Sequence, residues 1–303
     1  MIKPLHKPLL TVFFLFLAAT AFGQTGTLPG PGDKVKPDDK SSDGFSSFKF
    51  GMSYLSNNIF MGRTDTVRTP ALMPQVKYTL KSGIYFSGTL NYIPAKKKKR
   101  LDGGDLTAGY DFDITDDLSA GASYAKVFYS STSTQIASSI TSTFNGNLNY
   151  DFGDVISAAV SSDYNINRQG INNDIFVNAA LSHDFIVVGL FGEADILLIS
   201  PTATVNTGTQ NFYDAYLTKK KVKTAKQTAK QNALITQYTD QLSTFELLDY
   251  EISAPLEYKT GHFIFQFTPT YAIVKNQLPN VIQSRISNKP SVFYFDAGVF
   301  LKF

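Results

Sequence analysis

From Phe45 to Phe303 the chain alternates apolar and polar residues in segments of about ten. Between Phe144 and Phe152, Phe144, Leu148, Tyr150 and Phe152 share one face, and Asn145, Asn147, Asn149 and Asp151 share the other. Leu106, Ala108, Tyr110, Phe112 and Ile114 alternate in the same way with Thr107, Gly109, Asp111 and Asp113. A period of two places successive side chains on opposite faces of a strand. Applied along the chain, it predicts twelve strands, over 45–56, 72–81, 84–93, 104–114, 118–129, 140–152, 155–166, 174–184, 186–199, 246–259, 262–274 and 291–303. The connections alternate in length. Those at 82–83, 115–117, 153–154, the Asp184 corner and 260–261 are very short, whereas 57–71, 94–103, 130–139, 167–173, 200–245 and 275–290 are longer and polar.

A soluble β-sandwich alternates too, with its apolar face turned into a core. Here that face is nearly free of charge, with Lys126 near a loop end as its exception. It is aromatic at the strand ends, with Tyr54, Tyr92, Tyr164 and Tyr271 at one rim and Phe112, Phe152, Tyr258 and Phe303 at the other. The opposite face is rich in small polar residues such as Ser53, Ser87, Thr89, Ser161 and Asn178, which suit a wet interior. Backbone groups in lipid must all be paired, so a sheet with lipid on one side has to close on itself. The expected fold is all-β: a transmembrane antiparallel up-and-down barrel of about twelve strands with one helical extracellular loop.

The chain ends Val292-Phe-Tyr-Phe-Asp-Ala-Gly-Val-Phe-Leu-Lys-Phe303, with Phe293, Phe295, Val299, Leu301 and Phe303 on one face. This resembles the terminal strand of Gram-negative outer-membrane β-barrel proteins, porin-like in class. The resemblance covers residues 45–303 as a pattern. It implies recognition of Phe303 by the barrel-assembly machinery, contact with outer-membrane lipids and lipopolysaccharide, and periplasmic placement of both termini. The absence of Trp departs from the usual girdles and leaves Tyr and Phe to form them.

The first residues fit a secreted precursor. Lys3, His6 and Lys7 precede an apolar run from Leu9 to Ala19 and small residues at Ala21 and Gly23. That is a signal peptide over 1–23, cleaved near Gly23/Gln24 or at Ala21/Phe22. Residues 24–44, rich in Pro, Gly, Asp and Ser, read as a flexible periplasmic linker. With no Cys there is no disulfide and no lipid-accepting thiol, and a net charge of +3 implies no nucleic-acid partner.

On this register the inward acids are Asp105, Asp111, Asp113, Asp151, Asp163, Asp184, Glu193, Asp195, Asp249, Glu251, Glu257 and Asp296, against inward Lys49, Lys77, Lys81 and Lys302. The lumen is therefore expected to be acidic, and twelve strands leave only a narrow passage. A channel for small solutes or cations follows, since carboxylate rings favour cations. Its solute path would include Asp111, Asp163, Glu193, Asp195, Asp249, Glu251, Glu257 and Asp296. Glu193, Asp195, Asp249 and Glu251 fall on adjacent predicted strands. Four oxygen ligands suit Ca²⁺, but repulsion relieved by Lys is the plainer reading, and no metal or cofactor is expected.

The alternative function is a non-conducting surface barrel acting through its basic loops in adhesion, lipopolysaccharide or partner binding. Lys96, Lys97, Lys98, Lys99 and Arg100 form one basic run, and Lys219, Lys220 and Lys221 another. Either is a solvated segment or a phosphate contact at the outer leaflet. Residues 211–242 lack Gly and Pro and carry an apolar stripe at helical spacing, which predicts a helix. That helix either plugs the lumen, stands outside or is simply solvated.

An enzyme is not expected. After signal cleavage only His183 and His262 remain, both beside predicted periplasmic turns. Ser182 and Asp184 flank His183 in sequence, but in a strand they face away from it.

Overall fold

The computed structural model describes residues 46–64, 68–96, 100–153, 155–169, 171–214, 233, 237, 240–276 and 289–303. The expected signal peptide over 1–23 and the expected linker over 24–44 lie outside them. Seventeen strands occur: β1 (Ser47–Leu55), β2 (Ile59–Phe60), β3 (Arg63–Thr64), β4 (Ala71–Thr79), β5 (Ile84–Tyr92), β6 (Leu101–Asp113), β7 (Leu118–Tyr129), β8 (Ile140–Phe152), β9 (Ile156–Asn167), β10 (Asp174–Ser182), β11 (Phe185–Val188), β12 (Ile196–Ile199), β13 (Thr202–Gly208), β14 (Glu246–Ser253), β15 (Leu256–Thr260), β16 (Phe263–Val274) and β17 (Ser291–Lys302).

Neighbours pair antiparallel from β1 through β4 to β17, and β17 pairs back onto β1, so the sheet closes. Three wall strands are each broken in two, as β10/β11, β12/β13 and β14/β15, and the barrel has twelve strands. The breaks adjoin. His183 N–H donates to Pro201 O at 3.3 Å, Ser200 N–H to Pro255 O at 2.8 Å and Ala254 N–H to Pro269 O at 3.2 Å. Proline has no N–H to return to the ladder, which accounts for the interruption on successive strands.

Alternation holds in three dimensions. In β10, Asp174, Phe176, Asn178, Ala180 and Ser182 are buried, while Ile175, Val177, Ala179 and Leu181 face outward. The outer surface exposes Phe48, Val76, Phe86, Leu106, Phe144, Leu148, Val160, Ile252 and Phe293, among others all around the wall. A soluble monomer rarely exposes an apolar patch beyond a few hundred Å². A continuous apolar belt is the surface of a barrel solvated by lipid. Aromatic pairs mark its turn-end rim, with Tyr110 stacked on Phe112 at 5.2 Å, Phe50 on Phe303 at 6.3 Å and Phe263 on Phe265 at 6.1 Å. Lys126 lies on the outer face with its ammonium donating to Ser142 Oγ at 3.2 Å.

The ninth wall strand differs from expectation. The turn is not at Asp184 but over 189–195, where Gly189 adopts φ 77°, and the strand runs over 196–208 rather than 186–199. The apolar run from Phe185 to Leu198 forms a hairpin of β11 and β12 past the breaks, and the loop-end segment is the more polar Thr202–Gly208. The long connection therefore begins at Thr209, not at 200.

This moves Glu193 and Asp195 out of the wall and into the turn, at the opposite end of the barrel from Asp249 and Glu251. The grouping of four acids does not exist. Asp195 instead organises its turn, accepting from Tyr258 O–H at 2.7 Å, Gly192 N–H at 2.8 Å and Phe191 N–H at 2.9 Å. The Tyr258 hydroxyl foremost, then these amides, holds the Asp195 carboxyl below the usual carboxylate range. A depressed carboxylate contributes stability above its unfolded pKa, lost only as pH falls through the lower folded value. Hydrogen exchange at the Phe191 and Gly192 amides should thus stay protected from neutral pH through mild acid and rise only below about pH 4. Loss of protection at pH 6 would show that Asp195 does not anchor the turn.

Candidate functional site

The barrel interior is divided into a capped loop end and an open-lined lumen. The cap is built from connections that fold inward. The hairpin of β2 and β3 pairs with no wall strand. It seats Phe60 edge-on against Phe212 (4.9 Å, 89°) and Phe176 (5.6 Å, 87°). Around these rings Val127, Ile136, Ile140, Tyr213, Leu242 and Leu248 complete one buried apolar cluster. Met61 (φ 48°) and Gly62 (φ 70°) turn the hairpin tip. A Cβ on Gly62 would meet Asp249 Oδ2 at 2.8 Å, so both the left-handed backbone and the close approach require glycine there.

Polar groups lock the cap. Arg63 Nε and Nη2 donate to Gln210 Oε1 at 2.9 and 2.8 Å, and the guanidinium lies 5.0 Å from the Tyr213 ring centre. Asn58 Nδ2 donates to Gln135 Oε1 at 2.8 Å. Asp102 is fully buried and accepts from Ser133 Oγ at 2.7 Å and Gln135 Nε2 at 2.8 Å. Asp174, also fully buried, accepts from the Asn211 and Phe212 amides at 2.6 and 2.8 Å, from Thr209 Oγ1 at 2.7 Å and from Asn167 Nδ2 at 2.6 Å. A carboxylate on the first free N–H groups fixes the start of a helix. Residues 211–214 are helical there, and within the predicted 211–242 helix Ala233, Gln237, Asp240 and Gln241 are helical too. Phe212 and Tyr213 place this helix start inside the mouth. Lys219, Lys220 and Lys221 lie outside the described residues, as do Lys97, Lys98 and Lys99. Lys96 is turned onto Asp102 and the Thr132 carbonyl, and Arg100 onto the Lys96 carbonyl and the Tyr92 hydroxyl. The basic run is thus partly tied to the barrel.

Below the cap lies a cavity of about 510 Å³. Of the predicted path residues, Asp111, Asp163, Glu251, Glu257 and Asp296 line it. Glu193 and Asp195 do not, being in the turn. Asp249 faces inward but is fully covered by the Gly62 turn, and one oxygen accepts from Asn206 Nδ2 at 2.5 Å. Asp113 and Lys81 end up exposed near turns. Asp105 joins the lining, and so does Lys259, a base that the sequence reading missed; it pairs with Glu257 at 3.2 Å. With Lys49, Lys77, Lys259 and Lys302 set against these acids, the lumen is far less acidic than expected. The charges are partly segregated. Asp105, Asp163, Glu251 and Asp296 lie in the loop-side halves of their wall strands, whereas Lys49, Lys77 and Lys302 are register neighbours at the turn end, where Asp111 and Glu257 also lie. Lys259 is detectable in sequence, two residues from inward Glu257.

His183 and His262 sit at the turn end, each against a backbone carbonyl, of Val155 and Lys302 respectively. Among the described residues no group of three or more His, Cys, Asp or Glu is placed to hold a metal.

No family model and no curated protein matches the chain. Solved structures resemble it distantly. The KdgM porin has a TM-score of 0.46 at 10% identity, covering 85% of this chain and 99% of that one. The NanC porin has 0.41 at 10%, covering 85% and 100%. LpxR from Salmonella typhimurium has 0.38 at 11%, covering 84% and 99%. Likeness at these scores assigns no activity.

Proposed function

We propose that this chain is an outer-membrane barrel, with both termini periplasmic, that passes small polar solutes or cations through a narrow lumen. The observation that supports this reading is the polar cavity of about 510 Å³ inside a closed wall with an apolar exterior. Four carboxylates in its loop-side half, Asp105, Asp163, Glu251 and Asp296, favour cations there. The lysines at the turn end oppose them, so the preference is weak.

The cap favours a second reading. An apolar cluster is seated in the mouth, as a non-conducting surface barrel would have. The two readings separate in planar bilayers. A narrow passage gives small single-channel steps and a reversal potential shifted modestly toward the cation potential in a KCl gradient. Anion preference would reject the cation assignment. Absence of conductance in both the native barrel and a barrel with its cap loosened would establish the surface reading.

A further inference from the structure

One arc of the lumen wall is built almost entirely from uncharged hydrogen-bonding side chains. Asn147 pairs in register with Ser161, Ser161 with Asn178, and Asn178 with Asn206, so four neighbouring strands present one level row to the interior. All four residues line the cavity. Asn147 Nδ2 donates to Asn145 Oδ1 at 3.3 Å while its Oδ1 accepts from Asn149 Nδ2 at 3.3 Å, Asn178 Nδ2 donates to Ser161 Oγ at 3.4 Å, and Asn206 Nδ2 donates to Asp249 Oδ1 at 2.5 Å. Asn178 Oδ1, Asn206 Oδ1 and, two inward rungs above, Asn165 Nδ2 are buried without a hydrogen-bond partner. Their residues are 1%, 2% and 0% exposed.

Buried polar groups in proteins are nearly always paired, and an orphan calls for explanation. Amides offer both donors and acceptors, and hydroxyls do the same. The ligand that satisfies such a mixture has alternating donors and acceptors of its own and no charge, because the four side chains of the row are themselves uncharged. The nearest carboxylates are already engaged by side-chain amides: Asp249 accepts from Asn206 Nδ2 at 2.5 Å and Asp163 from Asn145 Nδ2 at 2.7 Å. The cavity volume also falls in the range of small-molecule sites, about 300–1,000 Å³.

We propose that the row of Asn147, Ser161, Asn178 and Asn206 binds a neutral polyhydroxylated solute of the saccharide class within the lumen. This rests on the reading that solutes enter the barrel, and it narrows their chemistry.

The test is ligand binding to the full mature barrel in detergent, by saturation-transfer NMR and calorimetry. The probes are glucose and maltose, with gluconate and a cationic aminosugar as charged counterparts. The neutral sugars should bind. Asn147→Ala and Asn206→Ser should each weaken them about tenfold, roughly the net contribution of one neutral hydrogen bond. Lys81→Gln, exposed near a turn and outside the cavity lining, should leave them unchanged. Retained heat-modifiable mobility on gels shows that each variant is folded, and the partly exposed Asn147 is the gentler of the two sites. No sugar binding at tens of millimolar, equal binding by native and Asn147→Ala protein, or preference for gluconate or the aminosugar would overturn the site. Because binding is read without a membrane, the outcomes separate. Sugar binding without conductance defeats the channel and leaves the site, and conductance without sugar binding does the reverse.

Discussion

Phe60→Ala is expected to raise the open fraction of the barrel strongly. Phe60 is the only large side chain that the β2–β3 hairpin tip inserts between Phe176 and Phe212 among the described residues. Removing a packed Phe costs about 3–5 kcal/mol. The hairpin shares no backbone ladder with the wall, so that loss falls on the seating of the hairpin rather than on the barrel. Even the lower figure shifts the seated-to-displaced ratio by about two orders of magnitude. Single-channel recording should show longer and more frequent openings than in the native barrel, with unchanged heat-modifiable mobility. If the variant records the same closed times as the native barrel, the cap does not limit the path.

The second large effect distinguishes the two sides of the wall with adjacent residues. Val160 faces outward and is 49% exposed, and Ser161 lines the cavity. Both lie near the middle of β9. A basic residue at the lipid midplane costs about 2–4 kcal/mol. Val160→Lys should therefore lower the urea midpoint of refolding into lipid vesicles strongly, while Ser161→Lys, with water and Asp163 in reach, should shift it little. Equal effects at the two positions would mean that the apolar belt is not solvated by lipid.

Most of the wall was legible because alternation is a local property. Eleven of the expected strands fall within a few residues of the observed ones, and the short and long connections alternate as read. The ninth strand failed for a physical reason. Phe185 to Leu198 has the stronger apolar pattern, whereas Thr202–Gly208 offers the lipid only Ala203, Val205 and Thr207. The break that separates them depends on Pro201, Pro255 and Pro269 meeting on neighbouring strands, which no single segment announces. The misplacement carried Glu193 and Asp195 into the lumen on paper. The cap was invisible for the same kind of reason: Phe60 and Arg63 sit in what reads as an ordinary polar loop.

The sequence alone determined that this is a barrel, because a period of two decides which side chain meets lipid and which meets water wherever the strand lies. How the loop end of the barrel is capped was decided only by the tertiary structure. Seating the mouth takes contacts such as Arg63 to Gln210, 147 residues apart, and pairings at that separation leave no periodic trace in either partner.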